Sequence, residues 1–208
     1  QEEIADLGHL LRAPQKGGVG HGQVGAAEHG EPVARAFGVR LEQRQVIDAI
    51  TRIYEGEYAN VHRGLHFLSN LATDHYERVR AIIARFLNAP REDEVIFTSG
   101  ATEGINLVSY GWAVPNLQPG DEIVLSVLEH HANIVPWNFL RERHGVALKW
   151  VAPEPDGSLP AEKVLAAVGP RTRLIAVTHM SNVTGTVVDI GAIARGTHVP
   201  VLADGSQA

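Results

Sequence analysis

The segment FTSGATEG, residues 97–104, contains small and hydroxyl-bearing residues at a predicted junction between a strand and a helix. Backbone N–H groups at such a junction can close around an anion, and the helix N-terminus adds the positive end of its dipole. With the Thr102 hydroxyl as a further donor, the segment is a candidate phosphate site. An ordinary helix cap, in which Thr102 and Glu103 are first-turn residues, is a slightly better explanation of the segment taken alone.

Two adjacent histidines, His130 and His131, follow the end of another predicted strand. An imidazole at this position can stack on a flat ring, and Asn133 can cap the helix that follows. Adjacent residues seldom direct their side chains at one centre, so a metal site is not favoured. A surface or capping role for the histidine pair is the simpler interpretation of these residues alone.

Polar residues also stand at the ends of two later strands. The strand in RLIAVTHMSNVTGT ends in Ser181 and Asn182, and the strand in PVLADGSQ ends in Asp204. Asn182 can cap a turn or donate to a ligand oxygen. A buried carboxylate is costly unless it is paired, and a protonated ring nitrogen would be a suitable partner for Asp204. The competing interpretation is a turn aspartate bonded to its own backbone.

A histidine-rich segment lies earlier in the chain, where His62 and His66 flank Arg63 and Gly64. Histidines at this spacing can bind a metal on a helix, but Gly64 argues against a helix and no third ligand is evident. A polar loop is the simpler interpretation, in which Arg63 can hold an anion.

The elements that position these residues are predicted from apolar spacing. Helical spacing covers residues 45–58 and continues after Thr73 or Asp74, either of which can cap a second helix. Strands are then predicted, in alternation with helices, at EVIFTS, DEIVLSV, ALKWVAP, RLIAVTHM and PVLADG. The alternation predicts an α/β fold with a mostly parallel sheet flanked by helices. Ligands of such sheets bind at the carboxyl ends of the strands.

Residues 1–44 differ from the rest of the chain, and we expect them to be irregular or disordered. Their stretch KGGVGHGQVGAAEHGEP is rich in glycine and has no apolar period. Its G-x-G-x-x-G lacks a preceding strand and a following helix, so a flexible segment is favoured over a dinucleotide site. Residues 45–208 are expected to form one partial domain.

Composition excludes several classes of function. The formal net charge is -6, with 18 basic and 24 acidic residues, which argues against a nucleic-acid partner. No apolar run approaches the length of a membrane span. The chain contains no cysteine, which excludes disulfides, thiolate metal sites and a cysteine nucleophile within it, and we expect a cytoplasmic protein.

The chain resembles class V aminotransferase-fold enzymes, and more narrowly the Suf-type cysteine desulfurases, through YANVHRGLHFLSNLATD, FTSGATEGINLV, EHHANIVPWNFLRER, RLIAVTHMSNVTGT and VLADGSQ. These strings run in the family's order from about Gln45 to the last residue. EHHANIVPW is highly specific, whereas SGATEG alone would not be. The resemblance implies the large domain of fold type I enzymes, a pyridoxal 5'-phosphate cofactor and a homodimer.

The resemblance also implies cofactor-binding residues. Ala101 and Thr102 would hold the cofactor phosphate, and His130 would stack on the pyridine face. Asn182 and Gln207 would contact the ring hydroxyl.

Further implied roles concern the ring nitrogen and the substrate. Asp204 would pair with the pyridinium nitrogen. His62, and less surely Arg63, would line the substrate side, and the resemblance places His62 and His130 among the catalytic residues.

The reaction implied by the resemblance converts L-cysteine to L-alanine. A cysteine thiolate of the enzyme takes the sulfur as a persulfide, which an acceptor protein receives for iron–sulfur cluster assembly. The three lysines, Lys16, Lys149 and Lys163, do not stand at the family's Schiff-base position. We therefore expect a truncated chain that is inactive alone.

One further departure from the family's motifs and two alternative functions accompany this interpretation. FGVRLEQRQ stands where the family has an L-D-N-A-A-like string, which suggests a foreign or out-of-frame front end. A selenocysteine lyase, or another class V lyase, would share the same motifs. A degenerate, non-catalytic fragment is the third possibility, because a truncated sheet leaves an unpaired edge.

Overall fold

The computed structural model describes residues 41–64 and 66–208, with side chains from Arg44 onward. The predictions for residues 1–40, including the flexible glycine-rich stretch, lie outside the described residues. The last residues of the segment predicted to be irregular, 41–44, are helical. The chain divides between Arg85 and Phe86 into two compact units.

The first unit contains two helices. Helix α1 spans Leu41–Arg52 and continues as a π-helix over Ile53–Glu57. Helix α2 spans Phe67–Phe86, so the prediction of a cap at Thr73 or Asp74 is wrong. The Thr73 hydroxyl is instead used within the helix, where it donates to the Ser69 carbonyl (2.8 Å) and accepts from the His62 N–H (2.9 Å).

The apolar faces predicted for these helices are largely exposed within the described structure. Ile47 and Tyr54 on the first helix are 54% and 68% exposed, and Val79 and Ile82 on α2 are 48% and 50% exposed. The predicted helices are therefore confirmed. Their apolar side chains, however, are not buried by other described residues of this chain.

The second unit alternates strands and helices after a 3₁₀ turn at Glu92–Glu94. Helix α3 spans Ala101–Val108 and runs through a π-helix at Ser109–Ala113 into a last turn at Val114–Asn116. The remaining elements are β1 (Glu122–Ser126), a 3₁₀ turn (His131–Asn133), α4 (Val135–His144), β2 (Ala147–Val151), α5 (Ala161–Ala166), β3 (Thr172–Thr178), α6 (Ile190–Gly196) and β4 (Val201–Asp204).

The strands form a sheet in the order β2-β1-β3-β4, and all three pairings are parallel. The prediction of an α/β fold with a mostly parallel sheet flanked by helices is confirmed. The strand predicted at EVIFTS is wrong, because residues 95–98 have no regular structure and Ile96 is 65% exposed. The segment is not part of the sheet that the four described strands form.

Strand alternation divides the core between the two faces of the sheet. Ile123 and Leu125 of β1 pack in one cluster with the fully buried Trp137 of α4. Val124, between them, packs in a second cluster with Val164 of α5. Helices therefore cover both faces and leave the carboxyl ends of the strands as the open edge. Among the described helices, none is both long and apolar enough to cross a membrane.

We expect substitution of Ile123 by alanine to lower the free energy of unfolding by about 2–5 kcal/mol, because it opens a cavity in a fully buried position. The matched control is Ile96→Ala, which removes the same atoms from an exposed side chain and should change stability by less than about 0.5 kcal/mol. Urea unfolding followed by tryptophan fluorescence measures both. Equal losses in the two variants would contradict the core assignment.

Candidate functional site

A pocket of about 260 Å³ lies where the carboxyl ends of β3 and β4 meet the start of α3. The structure brings together every residue predicted to bind a cofactor, and adds lining residues that the sequence did not indicate. The full lining is Ala101, Thr102, His130, Ala132, Thr178, Met180, Asn182, Asp204, Ser206 and Gln207.

The start of helix α3 forms one wall of the pocket. The N–H and hydroxyl of Ser99 both donate to the Glu103 carboxylate, at 2.5 and 2.6 Å. The hydroxyl bond and then the backbone bond from Ser99 lower the pKa of Glu103. Both donors of Ser99 are therefore used to bind a side chain of the first helical turn, which agrees with the helix-cap interpretation. The Thr102 hydroxyl makes no hydrogen bond with any described residue and is available to a ligand.

His130 presents its ring to the pocket from a 3₁₀ turn that it caps. Its Nδ1 accepts a hydrogen bond from the Ala132 N–H at 3.2 Å. Because Nδ1 is an acceptor, the neutral imidazole carries its proton on Nε2. His130 therefore has the capping role that its position in the sequence allowed. The same hydrogen bond holds the imidazole in place, as stacking on a ligand ring would require. The His131 ring lies 5.9 Å away and tilted.

Asp204 is buried, with 6% of its surface exposed. One carboxylate oxygen, Oδ1, accepts from the Ser206 N–H (3.0 Å) and from the Ser206 hydroxyl (2.6 Å). The turn interpretation is therefore correct for this oxygen. No basic side chain of the described residues forms an ion pair with Asp204, so a cation is the partner that its carboxylate lacks.

Asn182 and Gln207 are exposed at the rim of the pocket, and neither side chain makes a hydrogen bond within the described residues. The loop before Asn182 is anchored by the buried Ser181, whose hydroxyl donates to the Leu128 carbonyl at 3.4 Å. Gly185 closes the loop with a φ of 71°, a left-handed conformation that favours glycine.

Glu129 is a buried carboxyl next to the pocket that the sequence did not indicate, and it is 8% exposed. The Ser126 hydroxyl donates to Oε1, and the Asn133 amide donates to Oε2 at 2.7 Å. The sequence feature that could have indicated Glu129 is its position, since a charged residue here follows a run of apolar strand residues.

The ionisation of Glu129 reflects its burial. Burial is the largest influence and raises the pKa of this carboxyl, and the negative charge of Asp204 raises it further. Hydrogen bonds from Ser126, the Thr178 backbone and Asn133 act in the opposite direction, and the net shift is upward.

Asn133 does not cap helix α4, so that prediction is wrong. Ile134 occupies the cap position, and the fully buried Asn133 bridges two side chains instead. Its Oδ1 accepts from the Trp137 indole N–H at 3.0 Å, while its amide donates to Glu129. The buried carboxylate competes successfully for the amide because leaving it unsatisfied would be costly.

His62 and Arg63 belong to the first unit. His62 has a φ of 56°, its Nε2 lies 3.3 Å from the Glu77 carboxylate, and its ring is edge-on to Tyr76. These contacts fit a polar loop. The substrate-binding role of both residues and the catalytic role of His62 stay predictions.

Comparison with known proteins gives consistent matches over this part of the chain. The model of the family "Aminotransferase class-V" matches residues 41–208. A cysteine desulfurase of Salmonella newport (strain SL254) is 49% identical over 167 residues, which are 79% of this chain and 41% of that protein. The chain thus spans about two-fifths of the length of this relative.

Solved structures agree with the sequence matches. The cysteine desulfurase CsdA from Escherichia coli is 36% identical, with a TM-score of 0.67 over 79% of this chain and 42% of that chain. A cysteine desulfurase from Thermococcus onnurineus NA1 is 32% identical, with a TM-score of 0.71 over 78% of this chain and 40% of that chain.

The raised pKa of Glu129 predicts a specific pH dependence of stability. The folded state holds this proton more tightly than the unfolded state, so the contribution to stability is complete below the ordinary carboxyl pKa. It is lost as pH rises through the folded pKa. Each tenfold difference in acid dissociation constant corresponds to about 1.4 kcal/mol.

Relative to the wild type, Glu129→Gln should therefore gain stability as pH rises above about 4, the ordinary carboxyl pKa. Urea unfolding across pH measures the difference, and Glu162→Gln, on the exposed surface of α5, is the matched control with no such trend. A difference that does not vary with pH would contradict the raised pKa.

Proposed function

The chain belongs to the class-V aminotransferase family, as its motifs predict, and we propose that it is part of a pyridoxal 5'-phosphate-dependent cysteine desulfurase. The observation that carries this proposal is the convergence of Thr102, His130 and Asp204, which are remote in sequence, on one pocket. The names of the similar proteins support cysteine as the substrate. The Suf-type assignment is a finer part of the same proposal.

The polar groups that line the pocket match those that a flat, phosphorylated ring would require. The unengaged Thr102 hydroxyl and the N-terminus of α3 would hold the phosphate, with Ala101 beside them. The His130 ring would lie against the ring face. Asn182 and Gln207 would contact the ring hydroxyl.

Asp204 supplies the strongest argument for a protonated ring nitrogen. A buried carboxylate without a cationic partner among the described residues is stabilised when such a nitrogen binds beside it. Ser206 holds the carboxylate in place for this contact. When bound, pyridoxal phosphate supplies an electron sink for the reacting substrate.

The chain's own residues would orient and hold charge rather than complete the reaction. His130 keeps its proton on Nε2 because Nδ1 is engaged, so its N–H can be directed toward the reacting groups. We infer catalytic roles for His130 and His62, and a substrate-lining role for Arg63.

Assembly and destination belong to the same proposal. We infer a homodimer for the whole protein, L-cysteine as its substrate and an acceptor protein that receives the sulfur for iron–sulfur cluster assembly. A cytoplasmic location is the accompanying prediction. The names of the related proteins support L-cysteine as the substrate, whereas the dimer and the acceptor protein are what the resemblance of the motifs implies.

The cofactor site is tested with pyridoxamine 5'-phosphate, which has the cofactor's ring and phosphate but no aldehyde to react with the chain's lysines. We expect the 208-residue chain to bind it, as measured by isothermal titration calorimetry. Asp204→Asn should weaken binding about tenfold or more, because a charged hydrogen bond is lost.

Asp156→Asn is the matched control, because Asp156 lies in an exposed turn where it only accepts from Ser158. This variant should bind as the wild type does. No binding by the wild type, or equal weakening in both variants, would argue against the cofactor site.

We expect the chain alone to release no alanine from L-cysteine. It contains no cysteine, so it has no thiolate to take the sulfur. A colorimetric alanine assay, with the Escherichia coli enzyme CsdA as the positive control, measures this. Alanine release above background would contradict the proposal that this chain binds the cofactor but cannot transfer the sulfur.

A further inference from the structure

We propose that Glu129 is a positioning residue of this pocket, which fixes the turn that carries His130 and is electrostatically coupled to a cationic ring bound at Asp204. The inference rests on the proposed function, because the ring is the proposed cofactor's. It extends that function to a side chain that does not line the pocket.

Glu129 connects the elements that surround the pocket. Its carboxylate accepts from Ser126 at the end of β1, from Asn133 in the 3₁₀ turn and from the backbone N–H of Thr178 at the end of β3. Thr178 lines the pocket and pairs in register with Asp204 of β4. One buried carboxyl thus holds the ends of two strands and the turn between β1 and α4.

The turn that carries His130 is fixed on both sides by this arrangement. Before it, the Leu128 N–H donates to the Ser126 hydroxyl at 3.2 Å. After His130, the Asn133 N–H donates to the His130 carbonyl at 2.8 Å. The Asn133 side chain also connects Glu129 to Trp137 through two hydrogen bonds. Because Trp137 is fully buried, the turn is anchored in the core. Movement of Glu129 would therefore displace the His130 ring.

Charge connects Glu129 to the ligand. The neighbouring donors from Ser126, Asn133 and Thr178 are uncharged, and Asp204 is the titratable group whose charge acts on Glu129 within the described residues. A cation beside Asp204 offsets that charge and favours ionised Glu129. By reciprocity, ionised Glu129 favours the cationic ligand.

The test compares the wild type with Glu129→Gln in binding of pyridoxamine 5'-phosphate as a function of pH. Every ionisation other than that of residue 129 is common to the two proteins, so the ratio of their dissociation constants isolates the effect of Glu129. We expect wild-type affinity to rise relative to the variant with increasing pH, by about fivefold or more. The exposed Glu162→Gln is the control, with a constant ratio.

The outcomes separate this inference from the proposed function. A ratio for Glu129→Gln that does not change with pH, with binding intact, would show a merely structural role and overturn the inference alone. Failure of the wild type to bind at any pH would overturn the proposed function and the inference together.

A second variant covers the case in which Glu129→Gln does not fold, as judged by near-ultraviolet circular dichroism. Ser126→Ala removes one donor to the ionised carboxylate and should move the pH-dependent rise in affinity to higher pH. An unchanged pH profile in this variant would overturn the coupling.

Discussion

The parallel pairing of β3 with β4 determines the geometry of the site. It places Thr178 opposite Asp204, and the N–H of His179 donates to the Asp204 carbonyl at 2.9 Å. Because all pairings of the sheet are parallel, the polar residues that follow β1, β3 and β4 reach the same edge. Helices on both faces leave that edge open, and the pocket forms there.

Much of the fold was predictable from apolar periodicity. The alternation after Asp121 locates four strands. The central strands β1 and β3 are almost wholly buried and appear as short apolar runs, whereas the edge strands β2 and β4 are only partly buried. EVIFTS has the same appearance, yet it is not part of the four-stranded sheet, and apolar periodicity alone does not separate the two cases. The start of α2 was predicted too late, because a hydroxyl residue such as Thr73 was taken for a helix cap. Its hydroxyl instead contacts Ser69 within the helix and the backbone of His62, which the sequence does not reveal.

The site was predictable as a set of residues and less so as a network. Strand-end positions and family strings indicated Thr102, His130 and Asp204, which line one pocket. Glu129 was not indicated, because glutamate is usually exposed and only the fold shows that it is enclosed. Asn133 was assigned to a cap for the same reason, since the carboxylate that claims its amide is visible only in three dimensions.

The indole of Trp137 gives the buried carboxyl an optical consequence. Its N–H is held by the amide that also holds Glu129, and the ring is wholly enclosed. A charge that appears or disappears on Glu129 changes the electric field across this chromophore, in an environment where water does not screen it. The absorption and emission wavelengths of Trp137 therefore depend on the protonation state of Glu129. This residue, one of the chain's three tryptophans, serves as an internal spectroscopic reporter of that carboxyl.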